Sequence, residues 1–232
     1  MDYRGQQVFV FHPDARSGER IVEHLRQREY EAYGLDRLDW ADLNRRRDSV
    51  VCVQAEQAEH WDWKGFPRHR PEGTPVPRMI ALNTTSAVGG YDESLTAEPG
   101  KTAQRLAERL DEIGARGHRR HIRFGSQNSS IATFDFQIDD RRYAGIIHDI
   151  STAGMSGTFR PEPETVEHWT IPDLHLNLPG NRISASARLS SRRIIAGQRI
   201  HVFHFDRKLP SADIDRIHEF IYASLETKLS LR

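Results

Sequence analysis

One short segment of this 232-residue chain, residues 118–123, concentrates guanidinium groups. This arginine segment has the sequence His-Arg-Arg-His-Ile-Arg and contains Arg119, Arg120 and Arg123. Arginine binds phosphate oxygens and the O6/N7 edge of guanine in a bidentate manner, which lysine cannot do. A basic run between two domains can also be a solvated linker, or hold nucleic-acid phosphates without specificity. The composition alone leaves these readings open.

A second segment, residues 149–154, supplies complementary chemistry. This turn segment has the sequence Asp-Ile-Ser-Thr-Ala-Gly and contains Asp149, Ser151 and Gly154. The carboxylate can accept hydrogen bonds from a guanine N1–H and N2–H₂, and the serine can donate to a phosphate. Glycine leaves space for a ligand and permits a turn closed to other residues. The same sequence is also typical of an ordinary turn, and a structural turn is compatible with a turn that faces a ligand. We expect the two segments to meet and hold a guanine nucleotide.

The elements before residue 116 alternate between strand and helix patterns. Apolar, β-branched runs predict strands, and apolar residues at helical spacing predict helices. The predicted strands are Gln7 to Phe11, Glu31 to Leu35, Ser49 to Val53, Met79 to Leu82 and Tyr91 to Leu95. The predicted helices run from Ser17 to about Tyr30, from Trp40 to Arg47, and from Lys101 or Thr102 to Ile113. This order favours an α/β domain over residues 1–115, with a mainly parallel sheet and flanking helices.

Beyond Gly117 the pattern changes to strands separated by turns. The predicted strands are Ile131 to Ile138, Arg142 to Ile150, Met155 to Phe159, Leu174 to Leu178, Arg182 to Ser190 and Arg199 to Phe205. Short strands with turns about every ten residues predict a small antiparallel barrel or sandwich over residues 116–232. A closing helix after Pro210 has its apolar side chains on one face.

The N-terminal half resembles a degenerate response-regulator receiver domain. Phosphotransfer in that family needs clustered acids for Mg²⁺ and an acceptor aspartate that closes the third strand. Here Gln54 stands at the acceptor position, and Asp14 is the one acid after the first strand. A hydroxyl remains at Thr84 or Thr85. We expect this half to contact a protein partner rather than to accept phosphate.

The C-terminal half, residues 119–232, resembles a PilZ domain, the bacterial receptor module for cyclic di-GMP. Its two signature motifs are Arg-x-x-x-Arg and Asp/Asn-x-Ser-x-x-Gly, and the arginine and turn segments match them in order and separation. The resemblance implies a six-stranded antiparallel barrel with a C-terminal helix. It also implies that the ligand contacts come from Arg119, Arg120, Arg123, Asp149, Ser151 and Gly154.

Charge and composition narrow the class of protein. Lys and Arg number 16 against 20 Asp and Glu over residues 1–115, and 17 against 13 over residues 116–232, so the half with the arginine segment is positive. The single cysteine, Cys52, and the absence of a long apolar run predict a cytoplasmic protein without membrane insertion.

No catalytic or metal-binding pattern stands out in the sequence. His201 and His204 lie three positions apart on a strand and face opposite sides, and Asp139 and Asp140 form a hairpin tip. We expect no enzyme, no metal and no nucleic-acid partner.

Together these patterns predict a two-domain signalling receptor in which cyclic di-GMP binding rearranges the domains and alters a partner surface. Two rivals remain. One is an interaction scaffold whose barrel binds no nucleotide, and the other is a phosphorylation-controlled regulator.

Overall fold

A computed structural model describes residues 6–36, 49–54, 77–84, 91–98, 100–115, 121–122, 124–125, 132–163, 169–195, 197–206 and 208–230. The predicted helix over Trp40 to Arg47 and most of the proline-rich stretch 54–78 lie outside these residues. The chain folds into two compact units, Met1–Arg120 and His121–Arg232.

The first unit is built on a parallel sheet. Its strands are β1 (Gln7–Phe11), β2 (Glu31–Leu35), β3 (Ser49–Gln54), β4 (Arg78–Leu82) and β5 (Glu93–Leu95). They lie in the order β2-β1-β3-β4-β5, and every pairing is parallel. This is a doubly wound order in which the neighbours β1 and β3 diverge at a switch point. All six residues of β3 are buried, as expected for a central strand.

Two described helices flank this sheet, α1 (Ala15–Gln27) and α2 (Thr102–Glu112). Helix α1 begins two residues earlier than predicted because the Asp14 carboxylate caps it, accepting from the Ser17 backbone N–H at 3.2 Å. It ends before Tyr30, since Glu29 adopts a positive φ of 65°. The predicted apolar stripes are confirmed, with Leu25 and Leu106 fully buried.

Strand β5 is shorter than the predicted Tyr91 to Leu95. The Asp92 carboxylate accepts from the Met79 backbone N–H at 2.7 Å, and the Asp92 N–H donates to the Met79 carbonyl at 3.0 Å. This local exchange precedes the ladder, which begins where Glu93 pairs with Ile80.

The second unit is an antiparallel barrel. Its strands are β6 (Phe124–Gly125), β7 (Thr133–Ile138), β8 (Arg141–Ser151), β9 (Gly154–Phe159), β10 (Thr170–Leu178), β11 (Asn181–Ile195) and β12 (Gln198–Phe205). The order β8-β7-β10-β11-β12-β9 closes because β9 also pairs with β8. Closure decides between the two predicted architectures in favour of the barrel, and β6 adds a short pairing at the end of β8.

Aromatic rings fill the barrel, and a helix covers part of it. Phe134 and Phe203 are fully buried with ring centroids 5.3 Å apart, and Phe159 packs on both rings. Helix α3 (Ser211–Ser230) buries Ile217 and Ile221 against this core. The predicted fold class is therefore confirmed for both units: a parallel sheet with flanking helices, followed by a six-stranded antiparallel barrel with a C-terminal helix.

Candidate ligand-binding site

The turn segment forms the connection between β8 and β9. Ser151 ends β8 and Gly154 begins β9, and the two residues pair across the turn. The Ser151 hydroxyl donates to the Gly154 carbonyl and accepts from the Ala153 N–H, both at 3.3 Å. Ser151 is 3% exposed. These bonds confirm that the Ser151 side chain stabilises the turn.

Gly154 is required by packing rather than by an unusual backbone angle. Its φ lies outside the left-handed region, so the turn is closed to other residues by its neighbours and not by its backbone angle. A Cβ at this position would lie 2.2 Å from the Phe203 carbonyl oxygen and 3.2 Å from the His204 Cα on β12. The glycine therefore allows β9 and β12 to approach at the start of the strand.

Asp149 lies on the outer face of the barrel because β8 contains a bulge. Ile146 pairs with Thr158 and Asp149 with Ser156, so an extra residue separates Ile147 from Asp149. Ser156 and Thr158 are alternate residues of β9 and share a face, which places Asp149 on the face of Ile146. Ile147 faces the core and is 2% exposed. The bulge thus places the Asp149 side chain on the outer face after a core residue, where the residue is half-buried and its Oδ1 is buried.

Described residues of the arginine segment contact the turn segment. The His121 Nδ1 and the Thr152 Oγ1 form a hydrogen bond of 3.0 Å. Ile122 is 7% exposed and belongs to the barrel core. Directly after Arg123, Phe124 pairs with Ile150 and Gly125 with Asp149. Arg119, Arg120 and Arg123 themselves lie outside the described residues, so their roles stay predictions.

The outer face beside Asp149 carries further polar side chains that the sequence patterns did not single out. The His148 Nε2 and the Thr158 Oγ1 lie 3.1 Å apart. Burial lowers the pKa of His148 below its ordinary value, and the neighbouring Arg160 guanidinium lowers it further. Arg160 follows β9 and bonds to the Ala144 carbonyl through its backbone N–H at 2.8 Å. Polar residues alternate along the chain at Ser156, Thr158 and Arg160, and this period of two could have indicated the polar row on the outer face.

A groove of about 510 Å³ continues this face across β7, β8 and β10. Its polar lining includes Asp135, which accepts from the Asn177 Nδ2 at 2.8 Å and from Arg142 at 3.4 Å. Burial raises the pKa of Asp135, but the Asn177 hydrogen bond and the charges of Arg142, Arg182 and His175 outweigh burial and leave the pKa below its ordinary value. The groove therefore holds an ionised carboxylate among guanidinium groups.

The switch point of the first unit, unlike the charged groove of the barrel, carries amide and hydroxyl side chains. Gln54 is 8% exposed, and its Oε1 accepts from the Asn83 Nδ2 at 3.1 Å. The Asn83 Oδ1 in turn accepts from the Thr102 Oγ1 at 3.0 Å. Asp14, the acid nearest in sequence to the end of β1, caps α1 through Ser17. An amide, Gln54, thus ends β3 at the position where the resemblance places the acceptor aspartate.

The histidines considered as metal ligands do not come together. His201 is 1% exposed and bonds to Glu162 at 2.9 Å, whereas His204 is exposed, as their opposite faces predicted. Within the described ranges, no group of three or more His, Cys, Asp or Glu side chains is placed to hold a metal ion. Among the helices that the structure describes, none combines the length and apolarity of a membrane span.

Among known proteins, similarity to this chain is found in solved structures. No protein-family model and no curated protein matches the chain. Escherichia coli YcgR in complex with c-di-GMP matches with 16% identity and a TM-score of 0.42, over 50% of this chain and 51% of that one. The K. pneumonia MrkH–c-di-GMP complex matches with 19% identity and a TM-score of 0.39, over 48% and 54%.

A shorter structure is matched over most of its length. The PilZ domain of Escherichia coli YcgR with c-di-GMP has 18% identity and a TM-score of 0.39, over 48% of this chain and 93% of that one. The match spans about half the length of the longer YcgR and MrkH chains. About half of this chain is thus similar in structure to PilZ domains.

Proposed function

We propose that this protein is a cytoplasmic receptor for cyclic di-GMP, with the ligand held on the outer face of the barrel between the arginine and turn segments. The observation that carries the proposal is the hydrogen bond between His121 and Thr152. Each residue lies inside one of the two segments, so the bond joins the halves of the predicted site. This contact favours a shared site over the interpretation of the arginine segment as a solvated linker.

The chemistry of the two segments suits different parts of the nucleotide. Cyclic di-GMP is a dianion with two guanine bases. Arg119, Arg120 and Arg123 are proposed to bind its phosphates and the O6/N7 edges of guanine. Asp149, on the outer face, is proposed to accept from a guanine N1–H and N2–H₂. The Ser151 hydroxyl is nearly buried within the turn, so it is proposed to act mainly by fixing the position of Asp149.

The outer face offers the ligand additional contacts. Thr158 and His148 lie beside Asp149 along β8 and β9, and Arg160 supplies a cation at the end of β9. These residues extend the proposed site toward the groove. YcgR and MrkH have been solved as c-di-GMP complexes, and we carry that ligand over to this chain on the strength of the motif contact.

We further propose that binding changes the connection between the two units and thereby a protein-partner surface on the first unit. The arginine segment spans the boundary between Arg120 and His121. A ligand that binds Arg119 and Arg123 would fix residues on both sides of this boundary. Small-angle scattering with and without ligand checks the coupling separately from binding.

Calorimetry with cyclic di-GMP tests the receptor function. The wild type should release or absorb heat on binding, and Arg123→Ala or Asp149→Ala should weaken the affinity about a hundredfold, since each removes a charged hydrogen-bonding partner. Arg141→Gln, at an exposed hairpin position outside the proposed site, is the matched control and should bind like the wild type.

The outcomes separate the hypotheses. Absence of heat with the wild type would leave the scaffold reading in place. Binding that survives both Arg123→Ala and Asp149→Ala would reject the site but keep the receptor. GMP as titrant checks whether the dinucleotide is needed.

A further inference from the structure

The hairpin between β11 and β12 extends past the rest of the barrel. Strand β11 pairs with β10 no further than Arg188, and β12 pairs with β9 only from His201 to His204. Every described residue from 190 to 199 is exposed. We call residues 190–199 the hairpin tip. Neither of its outer edges has a strand neighbour in the described part of the chain.

The hairpin tip carries apolar side chains where solvent would favour polar ones. Ile194 is 75% exposed and Ile195 is 54% exposed, and these are the exposed large hydrophobic residues of the described structure. Isoleucine belongs to the residue types most often buried. Two adjacent exposed isoleucines on a hairpin that extends past its neighbouring strands indicate a surface that another apolar phase covers.

The hairpin tip is also basic. It contains Arg192, Arg193 and Arg199 and no acidic residue. The structure shows no ion pair to Arg192 or Arg193 within the residues it describes, and Arg199 lies 3.9 Å from Glu162. The unit as a whole is nearly neutral, with 14 Lys and Arg against 13 Asp and Glu over residues 121–232. The positive charge is therefore local to the tip.

The apolar and basic side chains point in two directions. Arg192 pairs with His201, whose side chain is buried in the barrel, so Arg192 and Ile194 continue the core-facing side. Arg193 and Ile195 alternate with them and lie on the opposite side. A protein groove that binds one face of a hairpin would cover one isoleucine and leave the other exposed. A medium that surrounds the tip covers both.

We propose that the hairpin tip docks on an anionic phospholipid surface, with Ile194 and Ile195 entering the interface and the arginines binding the headgroups. A lipid interface accepts apolar side chains from both faces of a strand pair, and anionic headgroups attract nearby arginines. The near-neutral charge of the unit disfavours nucleic acid, which calls for a broad basic face. This docking is peripheral and requires no membrane-spanning segment, and it is independent of the proposed nucleotide site.

Vesicle co-sedimentation of the full chain tests the proposal. The protein should bind vesicles of phosphatidylcholine with about 30 mol% phosphatidylglycerol and not those of phosphatidylcholine alone. Raising NaCl from about 0.1 M to about 1 M should release it, because the Debye length falls from about 10 Å to about 3 Å.

Two double variants locate the contact. R192Q/R193Q should lower the partition coefficient about thirtyfold, and I194S/I195S about tenfold, while Arg141→Gln stays like the wild type. All four altered side chains are exposed, so unchanged circular dichroism is expected. Equal partition of the variants and the wild type, or no binding to the anionic vesicles, would overturn the proposal. Loss of duplex DNA binding in the arginine variant, without vesicle binding, would assign the tip to nucleic acid instead.

A labelled variant gives a readout that does not depend on affinity. Cys52 is buried, so Ile195→Cys can be labelled at the tip with an environment-sensitive dye. Its emission should shift to the blue with the anionic vesicles. The same label at Asn181→Cys, on a different hairpin, should not respond, and a response equal at both positions would contradict docking through the tip.

Discussion

The two units each bring polar side chains together on one surface, and the chemistry of these two groups differs. At the switch point of the first unit, Gln54, Asn83 and Thr102 form a chain of neutral hydrogen bonds. On the barrel, Asp149 lies on an outer face that also carries guanidinium groups. The three side chains at the switch point are uncharged, whereas the described barrel face carries a carboxylate together with the guanidinium groups of Arg142 and Arg160.

This difference teaches which features of a resemblance bear on function. A parallel sheet in the order β2-β1-β3-β4-β5 supports many activities, and the fold alone selects none of them. The neutral hydrogen bond from Asn83 satisfies the Oε1 of the buried Gln54, and these two amides alone provide no carboxylate ligand for Mg²⁺. The hydrogen bond between His121 and Thr152, by comparison, joins the arginine segment to the turn segment. The side chains of these two segments are of the types that suit a guanine nucleotide.

The largest expected effect concerns the glycine of the turn segment. Gly154→Ala should lower the free energy of unfolding by about 3 kcal/mol, because the new Cβ would clash with the backbone carbonyl of Phe203. Gly180→Ala is the control: it has open space around it and a φ of 77°, so about 1 kcal/mol is expected from backbone strain. Urea denaturation measures both. Equal losses would show that strand approach does not explain Gly154.

The charged face of the barrel should respond to acid. Asp135→Asn should cost about 1 to 2 kcal/mol near neutral pH, since it removes an ionised carboxylate bonded to Asn177 and paired with Arg142. The pKa of Asp135 is depressed in the fold, so its stabilisation is complete above the unfolded pKa of about 4 and is lost as the pH falls through the lower folded pKa.

Urea unfolding of the wild type and Asp135→Asn between about pH 7 and pH 3 measures this effect. The difference between the two proteins should shrink toward the acid end. Asp139→Asn, at the exposed β7–β8 turn, should match the wild type throughout, and a pH-independent gap for Asp135→Asn would contradict the electrostatic explanation.

The smallest expected effect concerns the neutral site. Gln54→Asp should cost about 1 kcal/mol because its acceptor oxygens sit on a side chain one methylene shorter and meet the Asn83 amide less well, and it should still not accept phosphate from acetyl phosphate with Mg²⁺. Mass spectrometry detects the phosphoryl group, and Gln54→Ala controls for the lost hydrogen bond. A phosphorylated product would break the comparison, because one substitution would then restore the chemistry.

Sequence patterns predicted the elements whose signal is local. Strand β1 has the predicted bounds because its apolar run stands between polar residues, and Gln54 ends β3 as expected. The far end of β11 was missed because residues 191–195 are exposed and are held by pairing with β12, not by a core. The role of Gly154 and the row formed with His148 depend on partner strands, which spacing along the chain does not reveal.

The bulge in β8 adds one residue to a strand that would otherwise alternate regularly against β9. Ile147 and Ile150 both face the core although an odd number of steps separates them, and the extra residue reconciles that parity. Deleting His148, the extra residue, would restore plain alternation with both isoleucines still facing the core and Asp149 still facing outward. The bulge therefore accommodates His148, and the deletion should remove the contact between His148 and Thr158 while leaving the carboxylate on its face.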